Sequence, residues 1–305
     1  HFAENDWGMS VYPVVPGHEI VGRVSAVGDK VTSHKVGDLV GVGCMVDSCR
    51  SCPACESGLE QFCKDGFVGT YNGEDRHDGS ITMGGYSDKI VVSDRFVVKV
   101  PAKLDPASAA PILCAGITTY SPLKHFGVKK GDKVGVIGMG GLGHMGVKFA
   151  KAMGAEVTIF TRSKSKIAEA KKQGADHVII STDEAQMTAA TEQFDYLLDT
   201  IPVQHDLNPY INCLTFDGVH ILVGLLEPVE PALQAGGLVM RRRVLAGSLI
   251  GGMPETQEVL DFCAEHGITC DIEMLNIKDI NTAYQRMKQG DVKYRFVIDM
   301  KSLKA

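Results

Sequence analysis

Aromatic residues are scarce in this sequence: 7% of its 305 residues are Phe, Trp or Tyr, and one of these is Trp. An excess of positive charge is also missing, since 31 Lys and Arg face 37 Asp and Glu, a formal net charge of −6. Nucleic-acid phosphates are gripped by a basic face, so this balance argues against a nucleic-acid partner. Long apolar runs are absent too. The longest, Val134 to Val147, holds His144, is bracketed by Lys133 and Lys148, and falls short of the ~20 residues that span a bilayer. No membrane partner is therefore expected. No internal repeat or low-complexity segment is seen, and no secretory leader is expected within this sequence, any address at the natural N-terminus being expected upstream. Nine cysteines cannot all pair, and four of them crowd into 15 residues, which points to metal in a reducing compartment. The expected location is the cytoplasm.

What is present is ordinary for a globular chain, with 44% hydrophobic and 22% charged residues. A prior of ~150 residues per domain predicts two domains. From Val14 to Val100, short β-like runs are broken by Gly and Asp: His18 to Val27, Val36 to Val42, Ile90 to Val92 and Phe96 to Val98. The segment from Pro106 to Leu123 changes texture, rich in Ala, Pro and Thr. Strand and helix patterns then alternate. Strands are predicted at 133–137, 156–160, 176–180, 194–199, 219–224 and 244–249, with helices at 143–153 and 163–173. This is the signature of a parallel sheet wrapped by helices, an α/β fold. Helical stretches at 256–265 and 279–288 follow. The expected organisation is a first domain over 1–113, a second over 114–252, and a tail, 253–305, that returns to the first.

Two motifs carry chemistry. The first is Cys49-x2-Cys52-x2-Cys55-x7-Cys63. Four thiolates at this spacing can close a tetrahedral zinc site with no open position, which makes it structural; an iron–sulfur cluster is the alternative. The second is Gly138-Met-Gly140-Gly141-Leu142-Gly143, after a predicted strand and opening a predicted helix. Gly138 permits a tight turn, Gly140 lets backbone approach a pyrophosphate, and Gly143 allows close packing of helix on strand. The end of the second strand selects the dinucleotide. A carboxylate there favours NAD, but this chain has Thr161, Arg162, Ser163 and Lys166, which suit a 2′-phosphate. NADP is therefore preferred over NAD, the plain alternative being a solvated basic turn. His18, Glu19 and Cys114 are possible zinc ligands, yet taken alone such residues are more often structural.

Resemblance adds what spacing does not. The segments Val15-Pro-Gly-His-Glu-Ile-Val-Gly22, the Cys49–Cys63 cluster, Leu113-Cys-Ala-Gly-Ile-Thr118, Tyr120 to Gly127, Gly138 to Gly146 and Asp291 to Phe296 resemble the zinc-containing medium-chain alcohol dehydrogenases. Within that family they are similar to the NADP-dependent cinnamyl-alcohol-dehydrogenase-like branch. The likeness covers essentially the whole chain. It implies a GroES-like β-rich catalytic domain and a Rossmann domain. It also implies a catalytic zinc on His18 and Cys114, with Glu19 as alternate ligand, beside the structural zinc. Thr118, Val223, Gly224, Ser248 and Ile250 are implied to lie on the cofactor, as are Gly138, Gly140, Gly141, Leu142 and Gly143. Trp7, Met45 and Leu249 are implied to line the substrate pocket, the plain alternative being packing. A homodimer is implied as well.

The front of the chain departs from the pattern. The family carries a Cys-His-Ser/Thr-Asp-x-His stretch, and His1 stands where its last His belongs, as a candidate end-point of the proton relay. The first zinc Cys would fall four residues before His1, so the natural N-terminus is expected upstream. The expected activity is hydride transfer between NADP(H) and a primary alcohol or aldehyde, aromatic or medium aliphatic. The alternatives are an NAD-dependent polyol or secondary-alcohol dehydrogenase, and a non-catalytic cofactor-binding protein short of a zinc ligand. Cys44 breaks the spacing of the cysteine cluster and is left outside it. Cys213, Cys263 and Cys270 read as small apolar residues, and Arg241-Arg-Arg243 as a solvated or interface turn.

Overall fold

The computed structural model describes residues 2–6, 8–224 and 227–304. They form two compact units, His1–Ile117 with Gly251–Ala305, and Thr118–Ile250.

The first unit is built from short strands: β1 (Ile20–Arg23), β2 (Leu39–Val42), β3 (Met45–Asp47), β4 (Val68–Gly69) and β5 (Val98–Lys99). β1, β2 and β5 make one antiparallel sheet in that order, and β3 pairs with β4. The predicted strand from His18 to Val27 shrinks to β1 because its partner turns away at Gly37, whose φ is +93°. The predicted strand at 90–92 does not form, and Val91 stands fully exposed. Leu113 anchors this unit's core. Its side chain fills the space where a Cβ on Gly41 would sit, so strand β2 needs glycine there. The chain returns after residue 250 as helix Met253–His266, which starts three residues ahead of the predicted Thr256 because Pro254 suits a first turn. It stops at Gly267 in the left-handed region, φ +66°. A parallel strand pair, Ile272–Asn276 with Arg295–Asp299, completes the unit.

The second unit is a six-stranded parallel sheet: β6 (Lys133–Ile137), β7 (Glu156–Thr161), β8 (His177–Ile180), β9 (Phe194–Asp199), β10 (Leu214–Leu222) and β11 (Val244–Gly247). The order is β11-β10-β9-β6-β7-β8. Chain direction across the sheet reverses between β6 and β9, which creates a crevice at their C-terminal ends. The strands are apolar on both faces, as a sheet covered on both sides requires. Phe160, Phe194 and Tyr210 meet edge to face, with centroids 5.2 and 5.6 Å from Phe160. Leu197, Ile211 and Leu214 pack around them. Each such side chain contributes about 1.5–3 kcal/mol on burial. Helix Gly143–Ala152 matches its prediction, whereas the one at 163–173 splits into a tight turn, Lys164–Lys166, and a shorter helix, Ile167–Lys172.

Candidate active site

Three stretches of the first unit bring His18, Cys44 and Cys114 together. Gly17 starts the first: its φ is +109°, and a Cβ there would lie 2.8 Å from the Tyr86 ring. The N–H groups of Gly84, Gly85 and Tyr86 donate to the carbonyls of Val15, Gly17 and Pro16, which fixes the turn ahead of His18. Cys114 follows the 3-10 turn Ala110–Leu113 and opens helix Ala115–His125, which the sequence pattern did not announce. His18 Nε2 then lies 3.2 Å from Cys114 Sγ, across 96 positions of sequence. The His18 ring also stacks on Tyr71 at 5.6 Å. The ligand atoms of His18, Cys44 and Cys114 all fall within 4.8 Å of one another.

Charge is concentrated here. A hydrogen bond from Cys44, opposed by burial and helped by the His18 charge, holds the Cys114 thiol well below its ordinary value. The same hydrogen bond, together with burial, pushes Cys44 well above its own. Burial lowers the His18 pKa, but the charge and hydrogen bond of Cys114 outweigh it and the net shift is upward. Burial pushes Glu19 up to about 7 against the pull of Arg295. Glu19 Oε1 is buried without a hydrogen-bond donor, and Arg295 Nη2 stands 3.5 Å away. Thiolate, imidazole and an under-satisfied carboxylate oxygen form a donor set that zinc accepts.

The second cluster is Cys49, Cys52, Cys55 and Cys63, also within 4.8 Å of one another. Cys52 and Cys55 sulfurs are 3.5 Å apart, Cys49 and Cys55 sulfurs 3.9 Å. A tetrahedron with 2.3 Å zinc–sulfur bonds has edges of about 3.8 Å, so one ion fits. The backbone N–H groups of Cys55 and Lys64 bring Cys52 down to about 6, whereas burial raises Cys55 to about 11. None of the nine cysteines forms a disulfide.

The second unit carries most of the predicted cofactor residues at or just beyond the C-terminal ends of its strands. Gly138 takes φ +94° after β6, and its backbone crowds Gly143: a Cβ on Gly143 would sit 2.1 Å from the Gly138 carbonyl oxygen. A Cβ on Gly140 would meet nothing within 4 Å. That open space stands over a loop running through Gly141 and Leu142 into a ten-residue helix, whose N-terminus favours an anion. The loop is held from two sides. Thr200 donates from its hydroxyl to the Ile137 carbonyl at 2.8 Å, and Lys166 Nζ donates to the Met139 carbonyl at 3.3 Å. Thr161 ends β7, followed by Arg162 and Ser163, with no carboxylate among them. A Cβ on Gly224 would lie 3.1 Å from the carbonyl oxygens of Thr200 and Ile201, and the Val223 N–H donates to the Asp199 carbonyl. Ser248 donates to Leu222, and Ile250 holds φ +36°, a region that β-branched residues avoid. Thr118 is buried in helix Ala115–His125. Among the pocket candidates, Met45 is buried on β3 and Leu249 is exposed. His1 and Trp7 lie outside the described residues.

The sequence reading missed Cys44. A neighbouring cysteine cluster was the only spacing cue, and it pointed away from His18.

The chain is similar to known proteins over nearly its whole length. The family described as alcohol dehydrogenase GroES-like domain matches residues 1–102, and zinc-binding dehydrogenase matches 141–265. The aldehyde reductase YahK of Escherichia coli is 52% identical over 304 residues, covering 99% of this chain and 87% of its own. A cinnamyl alcohol dehydrogenase of Sorghum bicolor superposes with a TM-score of 0.95 at 46% identity, covering 99% of this chain and 86% of its own. A cinnamyl alcohol dehydrogenase of Helicobacter pylori, solved with NADP(H), superposes with a TM-score of 0.88 at 46% identity, covering 95% and 83%.

Proposed function

The chain belongs to the zinc-containing medium-chain alcohol dehydrogenases, and on that premise we propose that it interconverts aldehydes and primary alcohols with NADP(H). The observation that carries the proposal is the approach of His18 to Cys114 in a unit that also holds the four-cysteine cluster. When bound, the zinc supplies Lewis-acid polarisation of a carbonyl and the nicotinamide supplies the hydride. The chain's residues do the rest. His18 and Cys114 hold the ion, and buried Glu19 is their alternate partner. Arg295 keeps Glu19 from a wholly apolar surrounding. Cys49, Cys52, Cys55 and Cys63 hold a second, structural zinc. Gly138 to Gly143 cradle the pyrophosphate.

Cofactor choice follows from charge. Arg162 and Lys166, with the hydroxyls of Thr161 and Ser163, suit a 2′-phosphate that a carboxylate would repel. The NADP(H) bound by the Helicobacter pylori relative supports this reading. Aromatic or medium aliphatic aldehydes suit the apolar candidates Met45 and Leu249. A homodimer is the proposed assembly: β11 is a sheet edge, and Val239, Met240 and Val244 near it are exposed. Free thiols throughout suit the cytoplasm.

Steady-state reduction of an aromatic and a medium aliphatic aldehyde, with NADPH and with NADH, tests the proposal. Higher kcat/KM with NADPH is expected. Arg162→Ala should weaken NADPH binding about tenfold or more, the worth of a charged hydrogen bond, and leave NADH nearly unchanged. Better rates with NADH, or turnover confined to a polyol, would instead identify an NAD-dependent polyol dehydrogenase.

A further inference from the structure

One side chain, His205, ties the loop that leaves β9 to itself, and it uses both ring nitrogens to do so. Nε2 donates to Asp199 Oδ2 at 2.8 Å, and Nδ1 donates to the Val203 carbonyl at 2.8 Å. A carboxylate and a carbonyl only accept, so both nitrogens carry hydrogen and the ring is an imidazolium. Its charge rests on a fully enclosed carboxylate, the strong form of this bond. Asp199 Oδ1 in turn accepts from the Ile201 N–H at 3.1 Å. Residues 199–205 are thereby closed on themselves by hydrogen bonds. Tyr210, from helix Asn208–Cys213, backs the imidazole edge to face at 6.1 Å. His220 is the contrast. It reaches the same Asp199 oxygen from β10 at 3.0 Å, but its Nδ1 is buried without a partner among the described residues, so it ties nothing further.

The closed loop holds Thr200 and Ile201, which wedge between two segments proposed for the cofactor. On one side stands the glycine turn. A Cβ on Gly138 would lie 3.0 Å from Thr200 Oγ1, and that hydroxyl donates to the Ile137 carbonyl at 2.8 Å. On the other side stands the end of β10, where a Cβ on Gly224 would lie 3.1 Å from the carbonyl oxygens of Thr200 and Ile201. A shift of the loop therefore displaces the turn or the strand end. We propose that His205 is a positioning residue for the dinucleotide, acting through Asp199 to fix Thr200 and Ile201 between the glycine turn and β10. The inference rests on the reading of this crevice as the cofactor site and adds a residue to it. A loop ordered beforehand raises affinity, because binding no longer has to order it. NADPH and NADH differ only at the 2′-phosphate, so both should gain equally. The competing role is a histidine that stabilises the fold and leaves the cofactor untouched.

Equilibrium titration with NADPH and with NADH, well below the melting temperature, separates the two. The 305-residue chain is compared with His205→Ala, His205→Gln and His205→Asn. The Gln amide N–H takes the place of Nε2 and the Asn amide N–H that of Nδ1. His205→Ala should weaken both dinucleotides about tenfold, by the same factor, the worth of a charged hydrogen bond. His205→Gln still donates to Asp199 and should return to within about threefold of the parent. His205→Asn reaches only Val203 and should stay near His205→Ala. Hydrogen exchange of the Ile201 amide, without cofactor, should rise in the Ala and Asn variants and not in the Gln variant. Unchanged affinities in His205→Ala, even with a lower melting temperature, overturn the proposal and assign His205 to the fold alone. So does a loss confined to NADPH, which would place its effect at the 2′-phosphate. An unaltered chain that binds neither dinucleotide removes the cofactor reading itself, and the proposal with it. Should His205→Ala not fold, the other two variants decide: tighter binding by Gln than by Asn supports the proposal, and equal binding overturns it.

Discussion

Gly140 and Gly143 stand three residues apart in one loop and have opposite surroundings. A side chain at Gly143 collides with the Gly138 carbonyl at 2.1 Å, whereas one at Gly140 enters empty space. The two alanine variants should therefore fail in different ways. Gly143→Ala should lose stability, since backbone must move to admit the methyl group, by about 1–3 kcal/mol, the usual cost of overpacking. Gly140→Ala should melt within a degree or two of the parent and still bind NADPH at least tenfold more weakly, because the methyl group would enter the open space proposed for the pyrophosphate. Thermal melts and a cofactor titration on both variants check this. Equal melting losses in the two would mean that Gly140 serves the fold and not the ligand. Both glycines were legible in the sequence, because a strand, a glycine turn and a helix are local in the chain. Cys44 was not. Its proximity to His18 and Cys114 depends on how Gly43 packs on Leu113, and no local spacing carries that contact.

At the scale of elements, the C-terminal end of β9 is held by a buried carboxylate between two imidazoles. Asp199 Oδ2 accepts from His205 Nε2 at 2.8 Å and from His220 Nε2 at 3.0 Å, and both Asp199 and His220 are fully enclosed. Burial alone would raise the Asp199 pKa, but the hydrogen bonds from His205 and His220 hold it below the ordinary carboxylate value. Burial alone would lower the His205 pKa, but Asp199 holds it above the ordinary histidine value. The signs differ. Asp199 stabilises the fold above its unfolded pKa of about 3.9 and ceases to as pH falls through its depressed folded value. His205 stabilises the fold fully below its unfolded pKa of about 6.5 and ceases to as pH rises through its raised folded value. Stability of the second unit should thus decline from pH 6 to pH 9, and His205→Gln should flatten that decline. Denaturant melts of both proteins across this range decide it, and parallel curves would remove His205 from the explanation. This network joins residues 6 and 21 positions from Asp199, a spacing that no local sequence cue connects. The strands themselves were readable. β6 and β9 have their predicted bounds because continuous apolar runs between turn residues leave little freedom. Helix Ala115–His125 escaped notice because Pro122 and paired threonines argue locally against a helix that tertiary burial enforces.

At the scale of the molecule, the two units depend on different forces. The second has a continuous parallel sheet and a core of large side chains. In the first, the segment from Cys44 to Thr70 contains two strands of three and two residues and one helix of four, Pro53–Glu56. Elements this short bury too little to hold themselves, so the four-cysteine ion is expected to act as their staple. Anything that binds the folded state alone stabilises it by mass action, and its removal returns that free energy. Withdrawing zinc with a chelator, or changing Cys55 to Ser, should therefore lower the melting temperature of the first unit by at least about 5 °C, given about 2–4 °C per kcal/mol for a unit of this size. The second unit has no share in this ion and should melt where it did before. Calorimetry on the loaded and stripped chain, with hydrogen exchange to assign each transition, makes the comparison. Exchange that rises first in residues 44–70 is the expected pattern. A uniform rise through β6 to β11 would mean that the ion supports both units, and the division of labour drawn here would fail.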